Sequence, residues 1–103
     1  MNPRAKFKNI REGAYHSRKE AKRAEELKFL EKLGEISELK EQVKFNLLPK
    51  QGVLREVNYF ADFTYIGEDG KLVVEDVKGM RLAEYILKKK MMKFFHNIDI
   101  LET

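Results

Sequence analysis

The sequence predicts an α/β chain of the mixed α+β kind, with its elements in the order α-β-β-β-α-β and a mixed β-sheet flanked by helices. Three observations carry that expectation: a helical period opening at Ser17, a hairpin signature in "YFADFTYIGEDGKLVVEDVKG" at 59–79, and a second helical period after Gly79 that leads into a short apolar run.

The first helix is read from "SRKEAKRAEELKFLEKLGEI", where Ala21, Ala24, Leu27 and Leu30 recur at intervals of three and Leu33 follows. Ser17 is placed as its N-cap and Gly34 as the glycine just past its end. "EQVKFNLLP" alternates Val43, Phe45 and Leu47 with polar neighbours and stops at Pro49, the pattern of a half-buried strand. "REVNYFADFTYI" and "KLVVEDVK" supply two more strands. In "RLAEYILKKKMMKFF", Ala83, Leu87, Met91, Phe94 and Phe95 fall on one side of a helix and Arg81, Glu84, Lys88 and Lys93 elsewhere. "NIDILE" closes the order as a short strand, which the preceding helix carries across the sheet so that it runs parallel to a neighbour.

Composition narrows the function classes. The 103 residues make one domain with a small core, and 43% apolar with 11% aromatic residues suffices to fold without staples. With no cysteine, disulfides and thiolate zinc sites are excluded, and no apolar run is long enough for a membrane span or secretory signal, so the expected location is cytoplasmic and no membrane partner is expected. The net charge of +4 favours a polyanionic partner. Its distribution is uneven: residues 1–28 hold nine Lys and Arg against four Glu, and residues 81–93 hold five against one. The first 16 residues lack periodicity and read as a basic arm ahead of a single domain at 17–103.

The hairpin carries the chemistry. A three-residue Glu68-Asp69-Gly70 loop, with Gly70 left-handed, closes on Gly67 opposite Lys71. Paired numbers then sum to 138, which sets Asp62 directly across from Asp76 and Lys78 two residues further along the same face. A four-residue loop would pair Asp62 with Glu75 instead. Like charges on directly opposed residues destabilise a sheet unless something positive lies between them, and a divalent cation does so. Oxygen-only ligands suit Mg²⁺, with Mn²⁺ able to substitute, whereas zinc would ask for His or Cys. Such a site serves in-line displacement at a phosphodiester, with an adjacent lysine orienting water or offsetting charge.

Each of these residues also has a plainer reading. Asp62 and Asp76 can be solvated sheet residues and Lys78 their ion-pair partner. Glu75 competes as the second acid, although alternation puts only Asp76 on the side of Lys78. Ser17-Arg18-Lys19-Glu20 is also a capping box. His16 and His96 have no partner at metal-ligand spacing, and "KKK" at 88–90 reads equally as a solvated helix face.

Asp62 in "YFADF", followed by Asp76-Val77-Lys78 in "VEDVKG", resembles the signature of the PD-(D/E)XK nucleases, whose restriction-endonuclease-like αβββαβ core has the same element order. "YHSRKEAKRAEELKFLEKLGEISELKEQVKFNLLP" is similar to the opening of small phage-encoded endonucleases of that superfamily, including phage Holliday junction resolvases. The resemblance covers roughly residues 14–90, with Ala61 standing where the superfamily name has Pro. It implies a Mg²⁺-dependent DNA endonuclease acting on branched DNA in the bacterial host cytoplasm, with Glu20, Asp62 and Asp76 as metal-site acids, Lys78 as the catalytic lysine and Gln42 close by. Nicking or flap cleavage, and a non-catalytic DNA-binding module, are the alternatives. Arg4, Lys6, Lys8, Arg11, Lys88 and Lys89 are the candidate DNA contacts. Symmetric cleavage of two strands by so short a chain requires a C₂ homodimer, and the arm's Phe7, Ile10 and Tyr15, with no evident place in the core, are its expected contacts.

Overall fold

The computed structural model describes residues 15, 17–78 and 82–103. The elements are α1 (Arg18–Lys32), β1 (Ser37–Leu48), β2 (Val57–Ile66), β3 (Leu72–Asp76), α2 (Ala83–His96) and β4 (Leu101–Glu102), which form one four-stranded mixed sheet in the order β1-β2-β3-β4. β1, β2 and β3 pair antiparallel, and β4 pairs parallel with β3. This is the expected α-β-β-β-α-β order. Among the described residues no helix is long and apolar enough to cross a membrane.

The ends of α1 follow from the sequence. The Ser17 hydroxyl accepts from the Glu20 amide at 3.1 Å. At the other end Gly34 takes φ +83°, its amide donates to Glu31 O and the Glu35 amide to Leu30 O, the two bonds of a Schellman cap. Buried residues on α1 are Glu20, Ala24 and Leu27. An acid therefore takes the first place on the buried stripe.

The hairpin has the predicted register. Phe63, Thr64, Tyr65 and Ile66 pair with Glu75, Val74, Val73 and Leu72, the Gly67 amide donates to Lys71 O, and Gly70 is left-handed at φ +80°. β1 starts earlier than its apolar alternation indicated, because Ser37–Lys40 joins the sheet through an irregular stretch with Glu38 at φ +55°. β4 is shorter than the expected strand at 97–102. Asn97, at φ +56°, is spent as the left-handed cap of α2, and Ile100 packs in the core before pairing begins at Leu101.

Two apolar clusters fill the two sides. Ala24 and Leu27 of α1 pack with Phe63 and Tyr65, whereas Tyr85 and Met92 of α2 pack with Leu47, Tyr59, Ala61, Val74 and Ile100. Tyr59, Ala61, Phe63 and Tyr65 are all odd-numbered, so strict alternation would put them on one face of β2. The face of β2 thus passes from one helix to the other between Ala61 and Phe63. Opposite that point stands Gln42, left-handed at φ +52° within β1. A non-glycine residue held there costs about 1–3 kcal/mol, a strain that collects at functional sites.

Two expectations about apolar groups are corrected. The stripe Ala83, Leu87, Met91, Phe94 and Phe95 is not the main buried face of α2, which seats Tyr85 and Met92 instead and leaves Leu87 at 58% and Phe94 at 80% exposure. Tyr15 has a place in the core after all, packed on the α1 cluster with its hydroxyl 3.3 Å from Lys28 Nζ. Phe7 and Ile10 lie outside the described residues.

Candidate active site

Beyond Phe63↔Glu75 the hairpin register leads to Asp62 and Asp76. Asp62 Oδ2 accepts from the Val77 amide at 2.8 Å, and the two carboxyl groups come within hydrogen-bonding reach of each other. Asp76 Oδ2 accepts from the Tyr59 hydroxyl at 2.5 Å, and its Oδ1 lies 2.8 Å from Lys78 Nζ. Lys78 Nζ also sits 3.7 Å from the centre of the Tyr85 ring. The Lys78 backbone is fixed by hydrogen bonds from Lys19 Nζ to its carbonyl and from its amide to Thr103 O.

Gln42 joins the hairpin to α1. Its Nε2 donates to Glu20 Oε2 at 3.2 Å and to Asp62 Oδ1 at 3.3 Å. The left-handed backbone of Gln42 and the buried stripe position of Glu20 thus converge on Asp62. Of the four residues carried over as catalytic, Asp62, Asp76 and Lys78 meet at one cavity, and Glu20 of α1 is joined to Asp62 through Gln42. Glu20 keeps its place in the cap as well, its own amide donating to the Ser17 hydroxyl.

Burial pushes the Asp62 carboxyl up to about 6, with the negative charges of Glu20 and Asp76 adding to the effect and the Val77 amide opposing it. Lys78 lies on Asp76, which leaves the excess negative charge at Asp62. Burial and the Asp76 carboxylate likewise push the Tyr59 hydroxyl far up, so it acts as a donor. Tyr59, Asp62, Asp76 and Lys78 line a cavity of about 400 Å³ with Gln42, Phe60, Leu82, Glu84, Tyr85 and Lys88.

The rival acid, Glu75, is fully buried on the α1 side. Arg23 grips it with Nε at 2.6 Å and a second nitrogen at 3.1 Å, while the hydroxyls of Tyr65 and Thr103 donate at 2.7 and 2.9 Å. Burial alone would raise its carboxyl, but these donors hold it below the usual range. All the capacity of Glu75 is used inside the fold, and of these two neighbouring acids Asp76 is the one that faces the cavity.

The candidate DNA contacts divide. Lys88 lines the cavity and pairs with Glu84 at 3.0 Å, whereas Lys89 is drawn away to Glu102 at 2.9 Å. Arg4, Lys6, Lys8 and Arg11 lie outside the described residues, as does His16. His96 packs edge-on against Phe45 with Nε2 2.9 Å from Asn46 O, a structural seat. Sequence reasoning missed Tyr59 and Tyr85. Alternation assigns Tyr59 to the side opposite Asp62, and only the change of face at Gln42 brings it back.

Among the described residues no three His, Cys, Asp or Glu side chains converge as a ready-made metal cage. The donor set nevertheless fits a hard divalent cation: two adjoining carboxylates, a third acid linked to Asp62 through the Gln42 amide, and no His or Cys among the described lining residues.

A family model described as a protein of unknown function, DUF1064, matches residues 2–100. The chain belongs to the DUF1064 family. Every site residue of this DUF1064 member lies within the match, which also runs through the basic segment at its start. Comparisons with curated proteins and with solved structures return no match.

Proposed function

We propose that this protein is a Mg²⁺-dependent endodeoxyribonuclease that hydrolyses phosphodiester bonds in branched DNA, in the manner of a Holliday junction resolvase. The observation that carries this reading is the abutting Asp62–Asp76 pair with Lys78 at 2.8 Å from Asp76, opening into one cavity. A pure DNA binder gains nothing from two carboxylates placed where they repel phosphate.

In this reading Asp62 and Asp76 hold the cation, with Glu20 completing the acidic set through Gln42. The bound cation supplies charge neutralisation at the phosphate and a more acidic water. The chain's own residues do the rest. The Tyr59 hydroxyl and Lys78 fix the rotamer of Asp76, the Val77 amide and Gln42 fix that of Asp62, and the Lys78 ammonium orients the attacking water and offsets charge on the phosphate oxygens. The Tyr85 ring limits where that ammonium can swing. The basic arm and Lys88 contact the DNA backbone, and Lys89 contributes only if its bond to Glu102 is exchanged for a phosphate. A C₂ homodimer in the cytoplasm of a bacterial host brings two such sites to a junction, with the exposed Leu87 and Phe94 of α2 as apolar surface for its contacts.

The raised Asp62 carboxyl gives a pH test. Because the folded state holds that proton more tightly than the unfolded chain, ionised Asp62 costs stability above a pH of about 6, and the cost is relieved as pH falls through that value. A cation on the carboxylates removes the cost. The rise in melting temperature on adding Mg²⁺ or Mn²⁺ is therefore expected to be larger near pH 7.5 than near pH 5. The rise should vanish in Asp62→Asn. An equal rise at both pH values, or one that survives in Asp62→Asn, contradicts a cation at this pair.

Glu20→Gln separates the two roles of Glu20. The amide keeps hydrogen-bonding capacity but loses the charge, so a metal-site role predicts lost cleavage with the melting temperature little changed. Removing that charge should also lower the Asp62 carboxyl, which Glu20 helps to raise. Turnover at the wild-type rate would leave Glu20 as a helix cap alone.

A further inference from the structure

Phe60 is 53% exposed although it lies in β2, an interior strand of the sheet. Apolar aromatics in such strands are ordinarily covered, and the other phenylalanine of this strand, Phe63, is wholly buried. The Phe60 ring is not stranded on a remote surface. It lines the same cavity as Asp62, Asp76 and Lys78, and Leu82, 61% exposed, lines it too.

The strand register puts polar company beside it. Lys44 is the direct cross-strand partner of Phe60, and Asn46 and Asn58 form the next pair on that face, two residues along each strand. The Lys44 side chain is 56% exposed, and its distance to Glu56 is a loose 3.8 Å. The Asn46 amide donates to Asn58 Oδ1 at 2.9 Å and to Leu48 O at 3.2 Å. The cavity thus carries an exposed aromatic ring beside the acid pair, and a lysine and an amide pair stand next to that ring on the paired strands. Those groups match the parts of a nucleotide strand: phosphate at the acids and their cation, base on the ring, the next phosphate at the lysine.

We propose that this strip is the strand-binding track of the site, and that the Phe60 ring receives the face of one unstacked nucleobase next to the phosphodiester to be cut. The inference rests on the nuclease reading and deepens it by naming what the substrate must offer. In an intact duplex both faces of each base are covered by neighbours, so seating one on Phe60 requires unstacking it, which costs least at a branch point or an unpaired nucleotide. Stacking tolerates any base, so the track selects DNA structure and not sequence. Phe60 is a binding residue in this account, and the Phe60 ring takes no part in the bond-breaking step.

The test uses the full chain with Mg²⁺ and a four-way junction whose cut position has been mapped. Phe60→Ala is expected to lower kcat/KM about 10- to 100-fold, the range set by loss of one base–aromatic stack, and Phe60→Trp to retain most of it. The melting temperature should not fall in either, because the ring is exposed. Replacing the nucleoside beside the cut by an abasic residue should cost the wild type a similar factor and cost Phe60→Ala almost nothing further. Wild-type rates in Phe60→Ala, or two losses that multiply, overturn the stacking assignment and leave Phe60 as a seat for some other partner. If the wild type cuts no DNA at all, the proposed function fails, and the track is judged by binding in EDTA. Quenching of a 2-aminopurine at an unpaired position by the wild type but not by Phe60→Ala then supports it, and equal quenching overturns it.

Discussion

Asp62→Asn and Asp76→Asn are each expected to abolish Mg²⁺-dependent cleavage, by roughly 10³-fold or more, since a lost ligand forfeits several kcal/mol of charge stabilisation at the phosphate. DNA binding should be unchanged or tighter, because each change also removes a repulsion with phosphate. The two variants differ in stability. Asp62→Asn removes the carboxyl whose ionisation is disfavoured, so its melting temperature should equal or exceed that of the wild type above a pH of about 6. Asp76→Asn weakens bonds from the Tyr59 hydroxyl and Lys78 at a buried position, and a loss of about 1–3 kcal/mol is expected. Equilibrium binding, single-turnover cleavage and thermal melts on the same preparations check all three. Cleavage at the wild-type rate by either variant would show that the pair is not the reacting centre.

Arg23→Ala is expected to be strongly destabilising, by about 3 kcal/mol, because it strands the fully buried Glu75 carboxylate with the Tyr65 and Thr103 hydroxyls to solvate it. Urea unfolding should show a lower midpoint with an unchanged slope. The pH dependence has a defined sign. Glu75 is held below its ordinary value of 4.5 in the folded protein, so its contribution is present above that value and is lost as pH falls through the lowered one. The gap between wild type and Arg23→Ala should therefore narrow in acid. A change within about 0.5 kcal/mol at neutral pH would contradict the buried-pair account. Glu75→Gln distinguishes the two neighbouring acids: a folded Glu75→Gln protein that still cuts, beside an inactive Asp76→Asn, assigns the motif acid to Asp76.

What could be read in advance divides along physical lines. The hairpin register was legible because "GEDG" limits the loop to three or four residues and a left-handed Gly70 favours three, after which a period of two brings Asp62, Asp76 and Lys78 together. α1 was legible from its caps. Four features were not. Tyr59 could not be assigned to the site because the face of β2 changes hands opposite Gln42, and no local pattern marks a glutamine as left-handed. The fate of Glu75 depends on Arg23, 52 residues away, and pairing at that distance leaves no periodic trace. The orientation of α2 was misjudged because its most apolar stripe is not its main buried face: Tyr85 seals the site and Met92 the core, while Leu87 and Phe94 stay largely in water. β1 began early because Ser37–Lys40 pairs without apolar alternation.

The most direct test of the central claim is incubation of the protein with a four-way junction, a flap, a linear duplex and single-stranded DNA, each in Mg²⁺ and in EDTA. The account predicts cleavage of the junction in symmetry-related strands with Mg²⁺, weak or no cutting of the linear duplex, and none of any substrate in EDTA. Binding without cutting of any of the four in Mg²⁺ or Mn²⁺, or cutting that persists in EDTA, would contradict it.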